Sequence, residues 1–155
     1  MKLKQIRDDT RGSTILETIV TLPLFLTLTF GLAQAGLMLW TQVGLQHGVD
    51  MAARCASIND AAKNMVPPWQ TSICFPGTEP SAVTNAMIVS YAANNSWGVN
   101  PPSSAFTVNQ GVSCGTSTGN QVTASFRFNL MNNYIFSPTL TAQSCYPTTE
   151  LAPEI

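Results

Sequence analysis

Few side chains in this 155-residue chain could carry covalent chemistry, and local spacing does not bring them together. His47 is the single histidine. Asp50 lies three residues on, but no nucleophile is placed with the pair, so His47 reads as a polar residue rather than a base. Hydroxyls are plentiful, yet a serine without a base is not a nucleophile. The four cysteines, Cys55, Cys74, Cys114 and Cys145, contain no C-x-x-C pair, which argues against zinc. There is no glycine-rich phosphate loop and no pair of carboxylates in a defined neighbourhood. The reading is of a protein that is not an enzyme, with no cofactor, no metal and no small-molecule substrate. The remaining reactive features are an even set of cysteines, suited to two disulfides in an oxidising compartment, and one carboxylate, Glu17, at the start of a long apolar run.

That run organises the chain. After Glu17 no charge appears until Asp50, and residues 18–40 as a helix rise about 35 Å, enough to cross a hydrocarbon layer of roughly 30 Å. Lys2, Lys4, Arg7 and Arg11 precede it, and no basic residue follows before Arg54. The positive-inside bias places the N-terminus in the cytoplasm and residues beyond about 40 outside the cytoplasmic membrane. Downstream of Gly12 only Arg54, Lys63 and Arg127 are basic, so there is no cluster for phosphates and nucleic acid is not expected as a partner. Three readings of the N-terminus compete. The chain could keep Met1 as a plain anchor. It could be cut after Ala35, at the small-x-small sequence Ala33-Gln34-Ala35, and be secreted. Or it could be cut after Gly12, leaving Ser13 as the first residue with Glu17 four positions behind. An ionised carboxylate costs about 2.5–3.5 kcal/mol at full membrane depth and less at the edge, so Glu17 needs a reason. A freed α-amino group on Ser13, on the same or an adjoining subunit, supplies one. A lone glutamate at the edge can also snorkel to water.

Arg11-Gly12-Ser13-x-x-x-Glu17, followed by Thr21-Leu22-Pro23-Leu24, resembles the opening of TadE-like minor pilins (pseudopilins). The likeness continues through Gly31-Leu32-Ala33 into Gln46-His47-Gly48-Val49-Asp50-Met51-Ala52-Ala53-Arg54. Thr18 stands where an aromatic is common, and Cys55 follows the Ala-Ala-Arg triplet. The resemblance implies residues 1–12 as a cytoplasmic leader removed by prepilin peptidase between Gly12 and Ser13. It implies 13–40 as a transmembrane assembly helix, Glu17 as the charge that registers neighbouring helices, and 41–155 as a periplasmic domain. Partners implied are the peptidase, other pilin subunits, the tight-adherence (Tad/Flp) assembly machinery and membrane lipid, with a role in pilus biogenesis and surface adhesion. A secreted or membrane-anchored binding domain outside any pilus is the other reading.

Beyond the span the residues predict a small α+β unit. Pro23 removes one helical hydrogen bond, and a kink or locally opened helix is expected, with Thr18, Thr21 and Thr27 near the freed carbonyls. The helix continues to about residue 58, with Trp40 as an interfacial anchor and Gly44, Gly48, Ala52 and Ala56 as a stripe of small residues. The stripe should pack under the domain's own sheet. Asp50 and Arg54, four apart, can pair. A loop over 59–79, with Pro67-Pro68, holds Cys74, and a Cys55–Cys74 bridge would tie it down by about 3 kcal/mol. Thr78 is the expected cap of a second helix over 80–93, with an apolar face of Val83, Ala86, Met87 and Tyr91 and a left-handed end at Asn94-Asn95. Alternation then predicts three antiparallel strands near 104–112, 121–130 and 139–146, with turns over 115–120 and at Asn132-Asn133. Val122, Ala124, Phe126, Phe128 and Leu130, then Leu140, Ala142 and Tyr146, form one apolar face for the long helix to cover. Tyr134-Ile135-Phe136 is a short apolar tip, and 147–155 reads as an irregular tail. Cys114 and Cys145 fall at the same end of this meander, which favours a second bridge. Strict alternation puts them on opposite faces, so the bridge needs a bulge or strand ends that have left the ladder.

Overall fold

The computed structural model describes residues 10–63, 71–129 and 137–148, with side chains from Ile15 onward. The Pro67-Pro68 pair, Leu130, the Asn132-Asn133 turn, the Tyr134–Phe136 tip, the first nine residues and the tail from 149 lie outside the described residues. The first element, α1, spans Thr10–Ala62; it therefore includes the last three residues of the expected leader and outruns the expected end near 58. The chain divides into two compact units, Met1–Gly36 and Leu37–Ile155.

In the first unit every described side chain from residue 15 to 36 is exposed. The helix is assigned without interruption through Pro23. Its threonines bond inward. Thr21 Oγ1 donates to the Glu17 carbonyl at 2.7 Å, Thr27 Oγ1 to Leu24 at 2.9 Å and Thr29 Oγ1 to Phe25 at 2.7 Å. Neither Thr21 nor Thr27 serves the Ile19 carbonyl, which loses its amide donor to Pro23. These bonds hide hydroxyls that would otherwise need water, which suits a helix in hydrocarbon.

The second unit is a three-stranded antiparallel sheet in the order β1 (Phe106–Cys114), β2 (Ser117–Arg127), β3 (Thr139–Pro147), with the rest of α1 and a short helix α2 (Asn85–Asn94). Leu45, Val49, Ala52, Ala53 and Ala56 of α1 form the core with Ile88 and Ala92 of α2 and with Phe106, Val122, Ala124, Phe128, Leu140 and Ala142 of the sheet. Each large apolar side chain buried there contributes about 1.5–3 kcal/mol. The alternation in β2 and β3 thus points the predicted residues inward, except that Phe126 is only half-buried and Tyr146 is exposed. The helix also holds the free edge of β3. Gln42 Nε2 donates to the Thr141 carbonyl at 2.8 Å and Gln46 Nε2 to the Gln143 carbonyl at 3.1 Å. Four helical residues rise about 6 Å and two strand residues about 6.8 Å, so amides four apart meet carbonyls two apart.

Three expectations are corrected. Pro80 opens only a 3-10 turn, Pro80–Ala82, and α2 begins after Thr84, whose side chain accepts from the Met87 amide at 3.4 Å. Val83 and Ile88, on either side of that cap, are both buried in the core and staple the helix start, so the inner face is Ile88 and Ala92 rather than Ala86 and Met87. Asn95 ends the helix at φ −96°, outside the left-handed region; the positive φ falls at Gly98. Asp50 does not pair with Arg54: its Oδ1 accepts from Gln46 Nε2 at 3.0 Å, and among the described residues the ion pair formed is Lys63–Asp60.

Candidate assembly surface and its staples

Gly12 and Ser13 lie inside α1, and Glu17 is one helical turn beyond Ser13 on a segment whose described side chains all face outward. From Ile15 to Leu37 the large apolar residues of this helix are exposed, Leu16 by 68%, Leu24 by 69% and Leu28 by 63%. Among the described residues of the first unit, no large apolar side chain of this stretch is buried. The stretch is long and apolar enough to cross a membrane. Glu17 is the single charge between residues 15 and 49, and among the described residues it forms no ion pair. Chemically, the surface can bury apolar area in lipid or against like helices, and can accept one charge-assisted bond at Glu17.

The cysteines are brought together in the two favoured pairs, Cys55 with Cys74 and Cys114 with Cys145. Cys55 is buried in α1, and Cys74 sits in a turn built on Ser72, whose Oγ accepts from the amides of Cys74 and Phe75 at 3.3 and 3.2 Å. The second bridge depends on one extra residue. Asn109 pairs with Gln121 but Val112 pairs with Gly119, so β1 carries a bulge between them, with Gly111 at φ +68°. The bulge reverses the facing of Val112 and Cys114 and puts Cys114 on the same outer face as Cys145. Asn120, fully buried, fixes it by accepting from the Gly111 amide at 3.2 Å through Oδ1. Asn120 therefore belongs to β2 and not to the turn, which is reduced to Gly115 and Thr116. Gly119 lies under the bridge. A Cβ there would stand 2.7 Å from Cys114 Sγ, so only glycine leaves room.

The small-residue stripe packs within its own unit, but Gly44 and Gly48 meet α2 and the turn after it rather than the sheet. A Cβ on Gly44 would collide with the backbone of Trp97, and one on Gly48 would come within 2.6 Å of the Ala92 carbonyl. Ala52 and Ala56 are buried in the core. The close approach brings the Trp97 ring within 4.6 Å of His47 and 6.4 Å of Trp40, measured between ring centroids. His47 thus packs its ring on an indole. Trp97, Thr41 and the paired amides Gln42 and Gln46 were not foreseen. The Gln-x-x-x-Gln spacing in a helix facing a sheet edge could have flagged the last two.

No match was found among curated proteins or among solved structures. A family model described as TadE-like protein matches residues 12–54, from the glycine before Ser13 to the last residue of the Ala-Ala-Arg triplet. Over that stretch, which takes in the exposed apolar helix and the first part of the folded unit, the chain is similar to the family its motifs resemble.

Proposed function

We propose that the protein is a minor pilin or pseudopilin of a Tad-type pilus, anchored in the cytoplasmic membrane with its N-terminus inside and its folded unit in the periplasm. Prepilin peptidase would cut between Gly12 and Ser13, and the new α-amino group would lie near Glu17 of the same or a neighbouring subunit. The bond lies within α1, so cleavage requires the helix start to unwind locally. The processed helix would then pack beside those of other subunits, with Pro23 as the point where it bends or extends. The role is structural and supports pilus biogenesis and adhesion, not catalysis. The observation that carries this reading is an outward-facing apolar helix with one carboxylate, joined to a unit whose own core is complete without it. Mass spectrometry of the N-terminus of protein isolated from its host tests it. A chain beginning at Ser13 is expected. A chain beginning at Met1 would mean a permanent anchor, and one beginning at Gly36 a secreted domain; either overturns the proposal.

A further inference from the structure

Among the described residues, most of the large apolar side chains exposed on the folded unit lie at its Leu37 end. Two pieces of chain are tied to the same turn of α1. The Val99 amide donates to Thr41 Oγ1 at 3.3 Å, and Gln42 Nε2 donates to the Thr141 carbonyl. The Trp97 turn and the start of β3 therefore share this end, and β3 brings with it Arg127, paired with Thr139, and Phe128, whose amide donates to the Pro138 carbonyl at 3.0 Å. Within 37–46, 97–106, 126–129 and 137–141 the single charged residue is Arg127. Asp60, Lys63 and Glu79 belong to the C-terminal end of α1 and the loop beyond it. Several large apolar side chains here are left in the open: Leu39 at 65%, Trp40 and Val43 at 60% and Trp97 at 37%. Gly44 makes this arrangement possible, since the Trp97 backbone rests on it and carries the indole beside Trp40.

We propose that this end of the folded unit is itself a lipid contact, in which Trp97 enters the headgroup layer beside Trp40 and Arg127 faces lipid phosphate. The occupant is argued from three features. The patch itself holds Leu39 and Trp40, the last residues of the apolar run in the sequence, so a bilayer that takes that run to its end reaches it. Indoles favour the membrane–water boundary, where the ring is partly dry and its N–H is wet. A guanidinium with no carboxylate at that end among the described residues suits phosphate oxygens, and Arg127 is already held by its bonds to Ser137 Oγ at 3.1 and 3.3 Å. The proposal rests on reading α1 as a membrane span.

The test uses the full chain in vesicles of phosphatidylcholine and phosphatidylglycerol, with and without lipid brominated high in the acyl chain. Two variants each keep one of the two indoles: Trp40→Phe with Trp69→Phe leaves Trp97, and Trp69→Phe with Trp97→Phe leaves Trp40. Trp97 is expected to lose emission to the brominated lipid to an extent comparable with Trp40, and to resist aqueous iodide. Trp97 open to iodide and untouched by bromine would mean that this end faces water. Trp97 shielded from both would mean that another subunit covers it. Either result overturns the proposal while quenching of Trp40 leaves the span intact; if Trp40 also escapes the lipid quencher, both readings fall. Comparing the unaltered chain with Trp97→Phe alone gives the same answer should a double variant fail to fold, since the bromine-sensitive emission must then shrink.

Discussion

One helix, α1, serves two environments, and the contrast between its halves runs against simple hydropathy. Residues 15–36 carry the larger share of leucine, isoleucine and phenylalanine, and all of them are exposed. Residues 41–57 are built on Gly44, Gly48, Ala52, Ala53 and Ala56, with Leu45 and Val49 as the large apolar groups they bury, and this half contributes to the core. Burial inside a protein favours shape as much as apolarity: small residues admit another backbone, while large ones on all sides suit a medium that conforms to them. The half that looks most like a core is thus the half whose described side chains are all exposed.

The strongest way to break this contrast is to truncate one leucine in each half. Leu45 is fully buried and Leu28 is 63% exposed. Leu45→Ala should destabilise the folded unit by about 2–5 kcal/mol, the cost of lost burial plus the cavity, whereas Leu28→Ala should leave its unfolding unchanged. Thermal or denaturant unfolding in detergent, followed by near-ultraviolet dichroism, reads the difference. Equal effects would mean that the outward half also stabilises the folded unit.

The disulfides sharpen the contrast from the other side, because both staple the second unit and neither touches the first. Their partners are 19 and 31 residues apart, and replacing Cys114 and Cys145 by alanine should cost about 3 kcal/mol or slightly more on the chain-entropy account. The same unfolding measurement checks it, and reduction of the unaltered protein should reproduce the loss for both bridges together.

A smaller effect separates the glycines. Gly31 has nothing near the position of an added Cβ, while the same atom on Gly48 meets the Ala92 carbonyl and Ser96 Cβ. Gly48→Ala should push α2 away and cost about 1–3 kcal/mol, more than the helix gains from losing a glycine. Gly31→Ala should be neutral or favourable to the helix. Should Gly48→Ala also be neutral, the close approach of α2 to α1 is wrong.

Local signals made most of this architecture legible, and what they missed was non-local. The alternation of Val122, Ala124 and Phe128 predicts β2 because a strand's faces are set two residues at a time. The same period exposes the conflict between Cys114 and Cys145 and calls for a bulge, yet it does not say where. Gly111 is the one glycine in β1, but the partner that fixes the bulge, Asn120, reads locally as a turn residue. The start of α2 was misplaced because Thr78 before Pro80 and Thr84 are both good caps, and the choice depends on Val83 and Ile88 meeting in a core that spacing alone does not show. Asp50 had two partners at helical spacing, Gln46 and Arg54, and the amide that also reaches β3 won. Of the candidate surface, Glu17 and its apolar run were readable from types alone, since an unpaired charge in such a run is conspicuous. Trp97 was not, because its place over Gly44 depends on how α2 crosses α1.

The smallest expected effect on folding belongs to the residue on which the proposed function most depends. Glu17 is exposed, lies outside the folded unit and forms no ion pair among the described residues, so Glu17→Ala should leave the unfolding of residues 37–155 unchanged. On the proposed function its cost should appear only when helices are brought together, where a carboxylate answering a neighbour's α-amino group would set the register along the bundle. Quantitative immunoblotting of sheared surface filaments against the membrane pool measures this directly, and the variant should remain in the membrane while its share in filaments falls. Glu17→Gln should follow Glu17→Ala if charge is what matters, and should recover incorporation if a neutral hydrogen bond is enough. Unchanged incorporation of both variants would make Glu17 a residue that merely reaches for water at the membrane edge, and would leave the two halves of α1 distinguished by packing alone.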